Sequence, residues 1–162
     1  MIKLKDLLFE VKDQLFAPRG NFDASKLPKG KLRIKNDTDR NKPSGAFWTS
    51  SWTGGGSDWA DWTKTDMPDW SSNKGVVFNV KGAKVLTIND DKDYEKTYDK
   101  FPIETRNPNE KYLDWAKISK KYDGVNVGGG ALWNQNLKWW DVESSAWFNM
   151  SKLKLKGSVT VR

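Results

Sequence analysis

The sequence predicts an α+β domain, and three observations carry that expectation. Apolar residues recur at period two in many short runs. Helical spacing is confined to about three stretches. No strand–helix–strand unit repeats, and neither a G-x-G-x-x-G after a strand nor a Walker motif is present, which disfavours Rossmann and P-loop folds. At 162 residues the chain fits a single domain, 1–162, large enough to bury a core.

Residues 3–16 place Leu4, Leu7, Leu8, Val11 and Leu15 at helical intervals. They predict an N-terminal amphipathic helix stopped by Ala17-Pro18-Arg19-Gly20. Lys31-Leu32-Arg33-Ile34-Lys35 alternates like a strand, and 36–45 reads as a loop. Gly45-Ala46-Phe47-Trp48-Thr49-Ser50-Ser51-Trp52 reads as a strand that runs out into small hydroxyl residues before Gly54-Gly55-Gly56. Ser57 then suits the N-cap of a short helix, Asp58 to Trp62, with Trp59 and Trp62 on one face.

The clearest strands are 75–80 and 83–89, with Lys81-Gly82 placed to close a hairpin between them. Residues 91–100 suggest a surface helix carrying Tyr94 and Tyr98. Residues 101–109 read as a loop and 112–122 as a helix with Leu113, Ala116 and Ile118 on its apolar side. Asp123 to Val127 is a short strand, and Gly128-Gly129-Gly130 opens a mobile loop up to Trp139. The chain closes on a run at 146–149 and on edge strands through Leu153, Leu155, Val159 and Val161.

Composition excludes whole classes of chemistry. There is no cysteine and no histidine, so disulfides, thiolate nucleophiles, a Ser-His-Asp triad and most zinc or haem sites are ruled out. The N-terminal decapeptide is too charged for a signal peptide or membrane helix, so the expectation is a soluble, cytoplasmic protein. Net charge is +7, concentrated in residues 1–45 and in Lys152, Lys154, Lys156 and Arg162. Such a surface suits polyanions, nucleic acid among them, or serves solubility alone. Five tryptophans fall between positions 48 and 70, as core filler or as walls for a flat ligand.

One pair of acids stands out. In an extended chain residues i and i+2 share a face, so Asp141 and Glu143 would project together, with Trp140 and Val142 opposite. Two such acids are either a solvated strand end or a site.

Residues 45–160 resemble small mono-ADP-ribosyltransferase domains. The pieces are Tyr122-Asp123-Gly124-Val125, a loop at 128–139, the Asp141-x-Glu143 pair, and Phe148-Asn149-Met150-Ser151-Lys152-Leu153. Upstream, Phe47-Trp48-Thr49-Ser50-Ser51 resembles the family's Ser-Thr-Ser-type strand. The chain is similar, too, to small phage proteins with a G-(G/A)-(L/F)-W-x-S strand and a W-D-x-x-S segment. The family's acid pair is usually Glu-x-Glu or Gln-x-Glu, whereas here it is Asp-x-Glu.

The resemblance implies two packed, mostly antiparallel sheets with about three helices, the family-like core spanning about 31–162 behind the N-terminal helix. It implies NAD as co-substrate and a host protein or nucleic acid as acceptor. Glu143 would stabilise an oxocarbenium-like ribose, as carboxylates do in glycoside hydrolysis. Asp141 would orient or deprotonate the acceptor. Ser50, with Thr49 and Ser51, would brace the glutamate. Arg33, with Arg19 as its rival, would hold a phosphate. Trp48, Trp59 or Trp62 would pack the nicotinamide ring. Two other readings use the same residues differently. A catalytically silent module would bind nucleic acid through its basic, Trp-rich surface, and a phage-type inhibitor would bind a host protein.

Overall fold

A computed structural model describes residues 11–161. The chain is α+β. Its strands are β1 (Gln14–Phe16), β2 (Lys35–Asp37), β3 (Lys42–Ser44), β4 (Phe47–Ser51), β5 (Lys74–Asn79), β6 (Val85–Ile88), β7 (Pro102–Ile103), β8 (Tyr112–Leu113), β9 (Gly124–Val127), β10 (Ser144–Trp147) and β11 (Lys154–Thr160). The helices are α1 (Asp58–Thr65), α2 (Asp91–Lys100) and the single-turn α3 (Trp115–Ile118). Among the described residues, no helix is long and apolar enough to cross a membrane.

Seven strands form one sheet in the order β11-β5-β1-β4-β10-β9-β6, and β2/β3 and β7/β8 are separate two-stranded pairs. Every pairing is antiparallel except β6 with β9. The expected two packed sheets are instead halves of this one sheet, joined at β4. Ser50 and Ser51 pair with β1, whereas Phe47, Trp48 and Thr49 pair with β10.

The sheet must curl. β5 and β6 stand five strand spacings apart in the order, roughly 24 Å if flat. The chain from Asn79 to Val85 is six Cα steps, which reach at most about 21 Å. Curling brings Phe78 of β5 against Phe47 of β4, with ring centroids 6.0 Å apart. Phe47, Phe78, Val80, Trp147 and Met150 form one buried cluster with Val85 packed on it. On the other face, Ile88, Val125, Val127, Ala146 and Phe148 join Tyr94 of α2 and Trp115 and Ile118 of α3 in the largest cluster.

Several expectations change, each for a physical reason. Residues 3–10 of the expected N-terminal helix lie outside the described residues, but Gln14–Phe16 is a strand. Leu15 is 1% exposed because it is wedged between β4 and β5, burial a surface helix could not match. Of the expected 31–35 strand only Lys31, bridged to Asn149, and Lys35, the first residue of β2, are paired. The rest of the β2/β3 hairpin occupies the expected 36–45 loop, with Asn41 at φ 53°.

Lys81-Gly82 does turn, with Gly82 at φ 84° and the Ala83 amide donating to the Val80 carbonyl. The strands on either side then part to different halves of the sheet. The 112–122 helix is only α3, because Tyr112 and Leu113 pair with β7 and Asp114 caps the turn through the Lys117 amide. The loop after Gly128 is closely packed rather than free: a Cβ on Gly128 would meet Asn89 Oδ1 at 2.7 Å, and one on Gly130 would meet Asn89 O at 2.5 Å.

Other elements fall where the sequence puts them. β4, β9 and α2 match their expected positions, and β11 is an edge strand. α1 begins after Ser57, whose hydroxyl accepts from the Ala60 amide at 3.1 Å.

Candidate functional site

The site is built from strand ends. The registers of β4, β9 and β6 bring Ser51, Val127 and Ile88 to the same end of the sheet as the start of β10. Glu143 is the last residue before β10. It is 8% exposed, and its carboxylate is held from three sides. Oε1 accepts from the Ser50 hydroxyl at 3.1 Å and from the Ser51 amide at 2.9 Å. Oε2 accepts from Asn126 Nδ2 at 3.2 Å. None of these donors is charged, and among the described residues Glu143 forms no ion pair.

The donors are themselves fixed. Asn126 Nδ2 also donates to Ser145 Oγ at 2.8 Å. The Ser50 hydroxyl receives the Trp59 amide at 3.4 Å, which ties the first turn of α1 to the glutamate. Behind them runs a buried relay. Trp147 Nε1 donates to Thr49 Oγ1 at 2.7 Å, Thr49 donates to Gln14 Oε1 at 2.7 Å, and Gln14 Nε2 donates to the Lys12 carbonyl at 2.8 Å. Buried polar groups need such partners, and no buried side-chain nitrogen or oxygen among the described residues lacks one.

In front of Glu143 opens a cavity of about 420 Å³. Its walls are Val11 and Lys12 before β1, Ser51 at the end of β4 with Thr53 just beyond it, and the N-cap Ser57 with Asp58 and Asp61 of α1. Thr87, Asn89 and Asn126 complete it across from α1. Among the described residues three carboxylates therefore line it against one cation, Lys12. Among the described residues no His, Cys, Asp or Glu cluster could hold a metal ion.

Of the residues singled out from sequence, Glu143, Ser50 and Ser51 come together. Asp141 does not join them. The chain bends through Val142 and Glu143 instead of running extended, so Asp141 is exposed while Glu143 is buried. Asp141 lies instead near Lys42, where its charge partly offsets the lowering of the Lys42 pKa by burial.

Arg33 is exposed and outside the cavity wall, with its carbonyl against Gly45. Arg19 is exposed and also absent from that wall. Trp48 points into the core, its ring 5.0 Å from that of Trp140. Thr49 belongs to the relay rather than to the cavity. Trp59 and Trp62 pack on each other at 5.2 Å, and neither lines the cavity.

Sequence reasoning missed Lys12, Asp58, Asp61, Asn89 and Asn126. Asn126 had a usable signal: it is a lone amide between Val125 and Val127 in a buried strand, where a polar side chain needs a partner. No protein-family model, curated protein or solved structure matches the chain.

Proposed function

We propose that the chain is an NAD-dependent mono-ADP-ribosyltransferase-like protein, acting on a protein or nucleic acid of a host. The observation that supports this best is the clamp on Glu143: a buried carboxylate, oriented by the Ser50 hydroxyl and the Ser51 amide, at the wall of an open cavity.

In the proposed reaction the bond between nicotinamide and the ribose C1′ breaks. Its electron pair leaves with nicotinamide, which departs neutral. The ribose becomes oxocarbenium-like, and the Glu143 carboxylate stabilises that positive charge. A nucleophile of the acceptor then forms the new bond at C1′ and releases its proton. Asp141 is too far toward solvent to take that proton. Asp58 and Asp61 face the cavity and stand in its place. The phosphate-binding part assigned to Arg33 passes to Lys12, the cation on the cavity wall.

The test is NAD consumption by the wild-type chain and by Glu143→Gln, with circular dichroism to verify the fold. Glu143→Gln should lose turnover and keep its spectrum. An equal rate in the two proteins removes the mechanism. NAD should also raise the melting temperature, because a ligand bound only by the folded state stabilises it.

A second reading, a catalytically silent binding module, is favoured by one observation. Trp133 is 91% exposed on a turn anchored by the fully buried Ala131 and Leu137, so the ring projects into solvent from a fixed stretch of backbone.

A further inference from the structure

A second surface of α1 has its own chemistry. Trp59 packs on Trp62 at 5.2 Å and on Trp70 at 6.3 Å, which makes a continuous patch of three rings. Trp70 is 41% exposed. The segment 58–70 that carries the rings holds Asp58, Asp61, Asp66 and Asp69, all exposed, against one base of its own, Lys64. In a chain of net charge +7 this is an acidic island.

The helix does not account for these acids. Asp58 and Asp61 suit the positive N-terminal end of α1, but Asp66 caps its C-terminal end and Asp69 lies beyond it, where the dipole opposes negative charge. Nor are they paired. The ion pairs among the described residues are Lys111–Glu95 and Lys156–Asp13.

The rings lack a cation as well. Elsewhere the chain's own lysines lie over aromatic faces: Lys42 over Trp48, Lys84 over Tyr122, Lys111 over Tyr98, Lys121 over Phe101 and Lys138 over Trp139. Among the described residues no lysine or arginine does so at Trp59, Trp62 or Trp70.

We propose that this face docks an arginine-bearing cationic segment of another polypeptide. Charge complementarity selects the occupant: carboxylates and ring faces, both without cations, attract the same group. A guanidinium serves both at once, stacking flat on an indole while its fork meets a carboxylate, and an ammonium cannot do that. Four aspartates repel the phosphates of a nucleic acid. Asp58 and Asp61 also line the cavity before Glu143, so a docked segment reaches the mouth of that cavity. The docking itself does not require that cavity to be catalytic.

The experiment titrates a short fluorescein-labelled oligo-arginine peptide with the chain at physiological salt, followed by anisotropy. Oligo-lysine serves as competitor, and labelled oligothymidylate is titrated in a separate experiment without the peptide. Binding should saturate at one to one. It should weaken about tenfold in Trp70→Ala and again in the double variant Asp66→Asn/Asp69→Asn. Oligo-lysine should compete poorly, and labelled oligothymidylate titrated alone should show no affinity that depends on Trp70 or on Asp66 and Asp69. Absence of saturable binding, unchanged affinity in both variants, or oligothymidylate binding that falls in the same variants overturns the proposal. Glu143→Gln should bind the peptide like the wild type. If NAD turnover is absent throughout while peptide binding follows this pattern, the transferase reading fails and the docking face stands.

Discussion

Replacing Ser50 by Ala isolates the clamp on Glu143 better than any other change. The Ser50 hydroxyl is 1% exposed and lies 3.1 Å from Oε1 of the glutamate. Ser50→Ala deletes that bond and leaves the Trp59 amide without its acceptor. A hydrogen bond to a charged group contributes about 1.5–3 kcal/mol. The Ser51 amide and Asn126 still hold the carboxylate, so the loss falls in that range rather than at the full cost of an orphaned buried charge. For a chain of this size about 2 kcal/mol corresponds to a fall in Tm of roughly 4–8 °C.

Urea unfolding followed by tryptophan fluorescence measures the change. Ser151→Ala is the control: it deletes an exposed hydroxyl that bonds only the neighbouring Asn149 side chain, and it should stay within about 0.5 kcal/mol. A double-mutant cycle of Ser50→Ala with Glu143→Gln should give a coupling above about 0.5 kcal/mol, as expected for residues in direct contact. If Ser50→Ala matches the Ser151→Ala control and the cycle is additive, the hydroxyl does not hold the glutamate, and the account of the clamp is wrong.

Two other substitutions probe the packing on the opposite face of the sheet. Asn41 bonds Tyr94 Oη, the Asn136 carbonyl, the Leu113 amide and Trp115 Nε1 through its side chain, at φ 53°. Asn41→Ala should cost roughly 4 kcal/mol or more, measured by urea unfolding, since several buried groups lose their partners together. Burial pushes the Tyr94 hydroxyl well above the ordinary 10.0. Above that pH the unfolded chain releases this proton and the folded chain keeps it, so stability falls as pH rises, by up to about 1.4 kcal/mol per pH unit. Tyr94→Phe should lower stability at neutral pH and flatten the alkaline limb. Parallel limbs for the two proteins would show that Tyr94 does not cause the loss.

Local patterning was legible wherever a single segment decides its own structure. Ser57 announces α1 because a hydroxyl there satisfies an amide of the first turn. Gly45 to Trp52 and Asp123 to Val127 announce strands, and β4 and β9 form inside those stretches. Pairing partners were not legible. Lys81-Gly82 makes the turn a hairpin needs, yet the strands on either side separate, because the curl of the sheet depends on all seven strands. Gln14 to Phe16 looks helical beside Leu4, Leu8 and Val11, but Leu15 gains more by burial between two strands. For the candidate site, Glu143 and Ser50 were found from sequence. Asp141 was misplaced because the i, i+2 argument assumes extended backbone, and the chain bends one residue before β10 begins.

The donors on Glu143 have a consequence for what the cavity can hold. A carboxylate paired with arginine or lysine would be oriented, but its field would be cancelled within a few ångströms. A carboxylate held by a hydroxyl, a backbone amide and a carboxamide is equally fixed and keeps its whole charge toward the cavity. In a partly desolvated site that charge acts at low effective dielectric, where a cation forming a few ångströms away gains several kcal/mol. Asp58 and Asp61, which also line the cavity, add to the same field. The described lining therefore favours a positive centre, and among the described residues Lys12 is the one cation on the wall available for an anion. A ligand that is cationic at its reactive end and anionic at one other point fits this arrangement, whereas a plain polyanion does not.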